Sequence, residues 1–317
     1  MSLSKSQLRE LLTKYRQENW QGIQTPEWQQ RIVEDYLVEE SDGFFGQLFP
    51  YYQPRSGDLI LDVGSGVGSF VVACCNRGLL AFGIEPDRIG IGSDLTAVGI
   101  ARRRVDASVF VAGTGEQLPF KAGVFDLVTL HQVLEHVADP ERVLRECLRV
   151  VKNQGIVYFG SPNYLRFWEP HYKVFWLPLL PKPLGKLYLH LRGRDPGMLD
   201  QLNYTTHYML RSVLRNLGVE CDAVDLHGEH FRQKCLNEEG FVSLRGRLVK
   251  WLTQLPRVGS WVLQAALMLY RLWDPGIEFV IVKRQNLRLK ENNSHCDSDL
   301  SSAVSIRETD SATKISL

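Results

Sequence analysis

Residues 59–70, LILDVGSGVGSF, constrain the fold more than any other stretch of the chain. An apolar run, the pattern of a strand buried on both faces, ends at Asp62 and is followed by Gly64, Gly66 and Gly68 before a helix opens. Glycine lets the backbone turn tightly and approach a ligand with no Cβ in the way, and the first N–H groups of the helix beyond are free to meet it. A strand, a glycine turn and a helix in this order begin a β-α-β unit and imply a nucleotide-like ligand.

The chain up to residue 164 continues the pattern. The apolar runs LLAFGIE, SVFVAG, FDLVTL and GIVYFGS alternate with helical stretches through FVVACC, AVGIARRRV and DPERVLRECLRVV. Alternation at this period requires right-handed crossovers and a parallel sheet with helices on both faces. The expected fold is α/β, a Rossmann-like doubly wound sheet, mostly parallel. Farther on, TTHYMLRSVLRNLG predicts a helix stopping at Gly218, ECDAVDLH a strand, and GIEFVIVKR an antiparallel last strand.

Two insertions interrupt this plan, at about 165–203 and 228–274, and are expected to form a lid over the C-terminal ends of the strands. Residues 1–54 read as a helical lead-in, with Thr25 as an N-cap and Pro26 at the first helical position. Residues 55–285 are expected to form one domain, and the Ser/Asp/Asn-rich stretch 286–317 to be disordered. No internal repeat is found.

Lys and Arg number 37 against 36 Asp and Glu, so no global charge pulls the chain toward nucleic acid or anionic lipid. The six cysteines form no C-x-x-C pair, which argues against a disulfide scaffold or a zinc ribbon. The N-terminal stretch is polar and lacks the apolar core of a secretion signal. A cytoplasmic protein is expected, either free or at the inner face of the membrane.

The glycine spacing narrows the ligand. A dinucleotide fingerprint needs its third glycine three residues after the second, whereas Gly68 follows Gly66 by two, and Asp62 stands two before Gly64. That acid would repel a pyrophosphate but suits S-adenosylmethionine, which carries an ammonium and a sulfonium and no phosphate. Glu85 ends the second strand, where an acid can accept both ribose hydroxyls. Thr114, Gly115 and Glu116, in AGTGEQLPF after the third strand, would edge an adenine.

Taken together, the stretch from Asp62 to Gly68, Glu85, GEQLPF, FDLVTLHQVLEHVADP and the helix ending at RVVKNQG resembles the class I S-adenosylmethionine-dependent methyltransferases. The nearest subgroup is the one containing quinone-biosynthesis and glycan-tailoring enzymes. The resemblance covers about residues 55–165, with weaker agreement to 219 and at 276–284. It implies S-adenosylmethionine as cofactor, bound by Asp62, Gly64, Ser65, Gly66, Gly68, Glu85, Thr114, Gly115, Glu116 and His131. Thr114 stands where the family often carries an acid.

Methyl transfer is an in-line displacement, so the protein supplies alignment and, for a hydroxyl acceptor, a base. His131, Gln132, Glu135 and His136 follow the fourth strand, where open sheets bind ligands. They resemble the E-x-x-E-H of ubiquinone-pathway O-methyltransferases, which is associated with a divalent metal. Gln132 replaces the first acid and weakens a hard-cation site, so no metal is expected, and Gln132, Glu135 and His136 are the alternative ligand set. His171, in PNYLRFWEPHYK with Glu169 and Tyr172, could take a proton at neutral pH. His171, His136 and His131 are the candidate bases. The plainer readings are a solvated strand-end charge for Glu85, a packing residue for His136 and an idle surface histidine for His171.

Both insertions mix Trp, Leu and Tyr with Lys and Arg, as in VFWLPLLPKPLGKLYLHLRGR. Neither holds the run of ~20 apolar residues a membrane span needs, but such stretches can lie in the headgroup plane or pack as a lid. The expected activity is O-methylation of a large or lipid-linked acceptor, such as a glycan intermediate. The alternatives are methylation of a quinone or isoprenoid ring and a non-catalytic S-adenosylmethionine-binding or membrane-attached module. No nucleic-acid partner is expected, because LHQV stands where amino-methylating enzymes carry an N/D-P-P-Y/F motif.

Overall fold

The structure is a computed structural model that describes residues 3–38, 48, 51–86, 96–104, 109–217, 221–236, 259–274 and 276–284. Its lead-in is a pair of packed helices, α1 (Lys5–Trp20) and α2 (Pro26–Val38). Ser4 and Gln7 close a reciprocal capping box at the start of α1. Leu8, Leu12, Val33 and Leu37 fill the space between the helices and meet Val67, in the glycine turn, and Ile100.

Strand β1 (Leu59–Val63) carries the apolar run one residue farther than expected, to Val63. It pairs in parallel with β2 (Leu80–Glu85) on one side and β4 (Phe125–His131) on the other. Helix α3 (Ser69–Asn76) connects β1 to β2, and α4 (Ala97–Arg102) lies between β2 and β3 (Phe110–Ala112). Helix α5 (Pro140–Val150) leads from β4 to β5 (Val151–Pro162). It starts where Asp139 accepts the Arg142 N–H at 3.0 Å, and Pro140 needs no donor there. Beyond β5 lie β9 (Gly276–Lys283) and β8 (Cys221–Asp225), and β9 runs antiparallel to both neighbours. The order 3-2-1-4-5-9-8 is the mostly parallel sheet with an antiparallel last strand that the alternation predicts.

Successive strand residues feed opposite layers, as the two-residue period demands. Leu61, Val63, Val128 and Phe159 pack with Val143, Leu144 and Cys147 of α5, while Ile60, Leu127 and Tyr158 pack with Val71 and Cys74 of α3. Strand order reverses between β1 and β4, which opens a crevice at their C-terminal ends, where doubly wound sheets bind ligands.

The first insertion roofs that end. A short hairpin, β6 (Trp168–Glu169) with β7 (Val174–Phe175), precedes α6 (Lys182–Leu191) and a 3-10 turn at Gly197–Gln201. Trp176, Tyr172, Val174, Leu189 and Leu199 form its own small core, completed by Ile23 of the lead-in. Helix α7 (His207–Asn216) then returns to the sheet.

One expected strand proves shorter. ECDAVDLH stops as a strand at Asp225, because its carboxylate accepts the Gly228 N–H at 3.0 Å and so caps α8 (Leu226–Leu236). The second insertion is described as α8 and α9 (Gly259–Trp273). Gly218, residues 237–258 with Arg245, Arg247, Lys250 and Trp251, and the stretch 286–317 lie outside the described residues. Among the described residues no helix is long and apolar enough to cross a membrane.

Candidate active site

The three glycines of the turn all lie in the left-handed region, at φ 72°, 52° and 79° for Gly64, Gly66 and Gly68. Two of them are also required by packing. A Cβ on Gly64 would stand 2.4 Å from Val133 Cγ2, and one on Gly68 would stand 2.7 Å from Phe110 Cζ. A Cβ on Gly66 would meet nothing within 4 Å, so this residue presents bare backbone to open space. The end of β2 holds the turn in place: Gly64 and Ser65 donate to the Ile84 carbonyl, and Gly66 N donates to Glu85 Oε2 at 3.0 Å. Ser65 is buried, and its Oγ has no hydrogen-bond partner.

Asp62 is buried beneath this turn and accepts a 2.8 Å hydrogen bond from Thr129 Oγ1. Burial pushes its carboxyl up to about 7, opposed by the Thr129 hydrogen bond and reinforced by the charge of Glu85. A buried carboxylate of this kind beside an open glycine fits a ligand that brings a cation, as the ammonium of S-adenosylmethionine does. The third loop is built differently at its three positions. Thr114 is exposed, and Gly115 is wedged between Val63 and Val143, a Cβ there standing 3.1 Å from each. Glu116 accepts the Ala138 N–H at 3.1 Å, so its carboxylate is engaged near the start of α5.

Next to the turn lies a polar cluster that joins the sheet to the roof. Val133, which touches Gly64, is followed at once by Leu134 and Glu135, and the Glu135 side chain is completely inaccessible. Burial pushes its carboxyl up to about 7, with His171 drawing it back down. Its Oε2 accepts from Ser161 Oγ at 3.1 Å, while Oε1 has no hydrogen-bond partner. His136 Nε2 and His171 Nε2 face each other at 3.1 Å, their rings nearly perpendicular. His171 Nδ1 lies 2.8 Å from Glu169 Oε1, and Tyr164 Oη donates to the same oxygen at 3.0 Å. The His171 carbonyl accepts from Gln24 Nε2, and Gln24 accepts in turn from the buried Arg16.

The structure thus unites Glu135, His136 and His171 and leaves two sequence candidates apart. His131 is exposed at the strand end, its ring against Gly160. Gln132 is exposed with φ 57°, and the third member facing Glu135 and His136 is His171. His171 is buried rather than the surface histidine of the plainer reading. Tyr164 and Ser161 are absent from the sequence candidates, and the signal for Tyr164 was its place in the same PNYLRFWEPHYK segment.

A sheet of this order, a glycine turn after β1 and an acid at the end of β2 are the arrangement of a class I S-adenosylmethionine-dependent methyltransferase domain. Its cofactor is S-adenosylmethionine. Residues 61–159 match the family model described as a methyltransferase domain. An uncharacterized methyltransferase of Mycobacterium leprae is 38% identical over 112 residues, 35% of this chain and 40% of that protein. The ubiquinone biosynthesis O-methyltransferase of Sodalis glossinidius is 30% identical over 133 residues, 41% of this chain and 47% of that one. The matched stretches span about half the length of these relatives or less. A solved Haemonchus contortus phosphoethanolamine N-methyltransferase 2 aligns with a TM-score of 0.44 and 15% identity over 89% of this chain and 58% of that one.

Proposed function

We propose that the chain is an enzyme that methylates an oxygen of a large or lipid-linked acceptor. In this reading Asp62 meets the cofactor's ammonium and Glu85 its ribose hydroxyls. Gly64, Ser65, Gly66 and Gly68 give it close backbone approach, and Thr114, Gly115, Glu116 and His131 line the rim. Bound S-adenosylmethionine supplies a methyl carbon made electrophilic by the sulfonium.

The observation that carries the reading is the pair of imidazoles facing at 3.1 Å beside buried Glu135, on the segment that packs against Gly64. An oxygen nucleophile must lose its proton, and Glu169 turns His171 so that Nε2 is the atom presented. The support for a bulky apolar acceptor is the aromatic rim of the roof, where Phe167 stacks on Phe175 at 5.9 Å and lies 5.8 Å from Trp273.

A glycan hydroxyl on a lipid carrier is the first choice for the acceptor atom. A hydroxyl on a quinone or isoprenoid ring is the second, and the name of the Sodalis relative favours it. The test is incubation with methyl-labelled S-adenosylmethionine and, separately, lipid-linked glycans and demethylated quinols. Label recovered as a methyl ether in the lipid phase is the expected result. Cofactor binding without transfer to any acceptor would leave the non-catalytic module as the better reading.

A further inference from the structure

We propose that Glu135, His136 and His171 bind one first-row divalent cation of the zinc class, with Glu169 as the positioning residue behind His171. The binding rests on geometry alone, whereas its part in turnover rests on the oxygen-methylation reading above.

One donor atom from each of the three residues lies within 4.8 Å of the others. The two Nε2 atoms are 3.1 Å apart, and Glu135 Oε1 is 3.9 Å from His136 Nε2. Zinc bonds of ~2.0–2.2 Å put neighbouring ligands of a tetrahedron roughly 3.3 Å apart, so the three atoms need only a small adjustment to share an ion.

A second observation points the same way. The Glu135 side chain is wholly buried and its Oε1 lacks a hydrogen-bond partner, although Oε2 has Ser161. A carboxylate oxygen left in this state is costly unless a positive charge meets it.

The support behind the ligands is also that of a metal site. A carboxylate accepts, so the contact of Glu169 Oε1 with His171 Nδ1 puts the proton on Nδ1 and turns the Nε2 lone pair toward His136. Glu169 is itself buried and fixed by Tyr164 Oη and the Tyr172 amide. His136 is partly exposed and leaves a route from solvent.

The donor set selects the ion. Two imidazoles and one carboxylate favour zinc, cobalt, nickel or iron over magnesium and calcium, which prefer all-oxygen surroundings. Because Gln132 lies outside the cluster, the third ligand comes from the roof, and the site is softer than one built on E-x-x-E-H. Three protein ligands leave a position for a hydroxyl oxygen, whose proton the ion would make easier to release to solvent; with the ion bound the two Nε2 atoms are ligands, and the base role given to His171 above belongs to the metal-free site.

The full chain, stripped with a chelator, is titrated with Co²⁺, whose visible absorption reports its coordination, and then with Zn²⁺ in competition. One Co²⁺ per chain is expected, displaced by Zn²⁺ and unaffected by millimolar Mg²⁺. His171→Ala and Glu135→Gln should abolish the band, and Glu169→Gln should weaken affinity about 10- to 100-fold. S-adenosylmethionine binding, measured on each variant, identifies those that remain folded. A stripped wild-type chain that binds S-adenosylmethionine but no stoichiometric Co²⁺ overturns the site, as does a band that survives His171→Ala. Stoichiometric Co²⁺ binding without methyl transfer to oxygen acceptors supports the site and counts against the oxygen-methylation reading alone.

Discussion

Thr129 Oγ1 on β4 donates a 2.8 Å hydrogen bond to Asp62 Oδ1 on the neighbouring β1, directly below the glycine turn. The bond favours the ionised acid, yet burial prevails and the carboxyl is pushed up to about 7. If the ionised form alone attracts the cofactor's ammonium, affinity should be about tenfold weaker at pH 6 than at pH 8 by calorimetry. Thr129→Val should move that dependence to higher pH. Stability responds in the opposite sense. The folded chain holds a proton that the unfolded chain releases near pH ~4, so this group lowers stability as pH rises from there to about 7. Asp62→Asn should remove its share of that fall, and an unchanged pH profile of thermal unfolding would count against the assignment.

Glu85 serves the turn as well as the expected ribose. Glu85→Ala should weaken S-adenosylmethionine binding by about ten- to a hundred-fold, the range for a charge-assisted hydrogen bond. Glu85→Gln can still accept from Gly66 N and should fall between the wild type and Ala. Undiminished binding by either variant would remove Glu85 from the site.

The glycines should separate by phenotype. Gly64→Ala drives a methyl into Val133 and a left-handed backbone at once, and should destabilise by about 3 kcal/mol. Gly66→Ala meets only the conformational cost, about 1–2 kcal/mol, but should lose more cofactor affinity because its bare face is the one that opens outward. Thermal unfolding and calorimetry on both variants check the ordering.

The glycine turn, Asp62 and Glu85 were legible because short-range spacing fixes them: a strand, a turn and the next strand end are all local events. The polar cluster was only half legible. Glu135 and His136 stand out beside the fourth strand, but His171 reaches them across 35 residues of chain, and no periodicity reports how a roof will fold. Analogy made Gln132 the partner of Glu135, whereas its positive φ and exposure keep it out of the cluster. The strand reading of Leu226 and His227 failed for a local reason, since Asp225 can end a strand and cap a helix at the same residue.

The lead-in should matter to the site despite its distance in sequence. Gln24 donates to the His171 carbonyl and accepts from Arg16, and all three residues are buried. Gln24→Ala would leave that carbonyl and one Arg16 N–H without a partner, at a cost of about 1–3 kcal/mol each before relaxation, while Arg16 keeps Tyr36 and its place over the Trp20 ring. The expected result is a lowered melting temperature with methyl transfer reduced more than S-adenosylmethionine binding, because the cofactor turn lies on the other side of Val133. Equal losses of the two would show that the lead-in supports the domain as a whole.

The aromatic rim supplies the last prediction, that the chain binds anionic vesicles peripherally. Phe175 is 55% and Trp273 66% exposed, and Trp261, Met268 and Leu269 on α9 are exposed as well. Apolar rings this accessible contribute little to the fold, so Phe175→Ser with Trp273→Ser should leave the melting temperature nearly unchanged. The same pair should reduce partitioning about a hundredfold or more, since burying each ring is worth about 1.5–3 kcal/mol. Charge is tested separately by replacing Arg245, Arg247 and Lys250 with Glu, each charge contributing about 1 kcal/mol near an anionic surface. S-adenosylmethionine affinity should survive in both variants, because Asp62, Glu85 and the glycine turn are untouched. Binding should be strongest at low salt, where screening is weakest. If the unmodified chain ignores anionic vesicles even there, the rim is better read as the wall of the acceptor pocket, and the double serine variant should then raise KM for a lipid-linked acceptor instead.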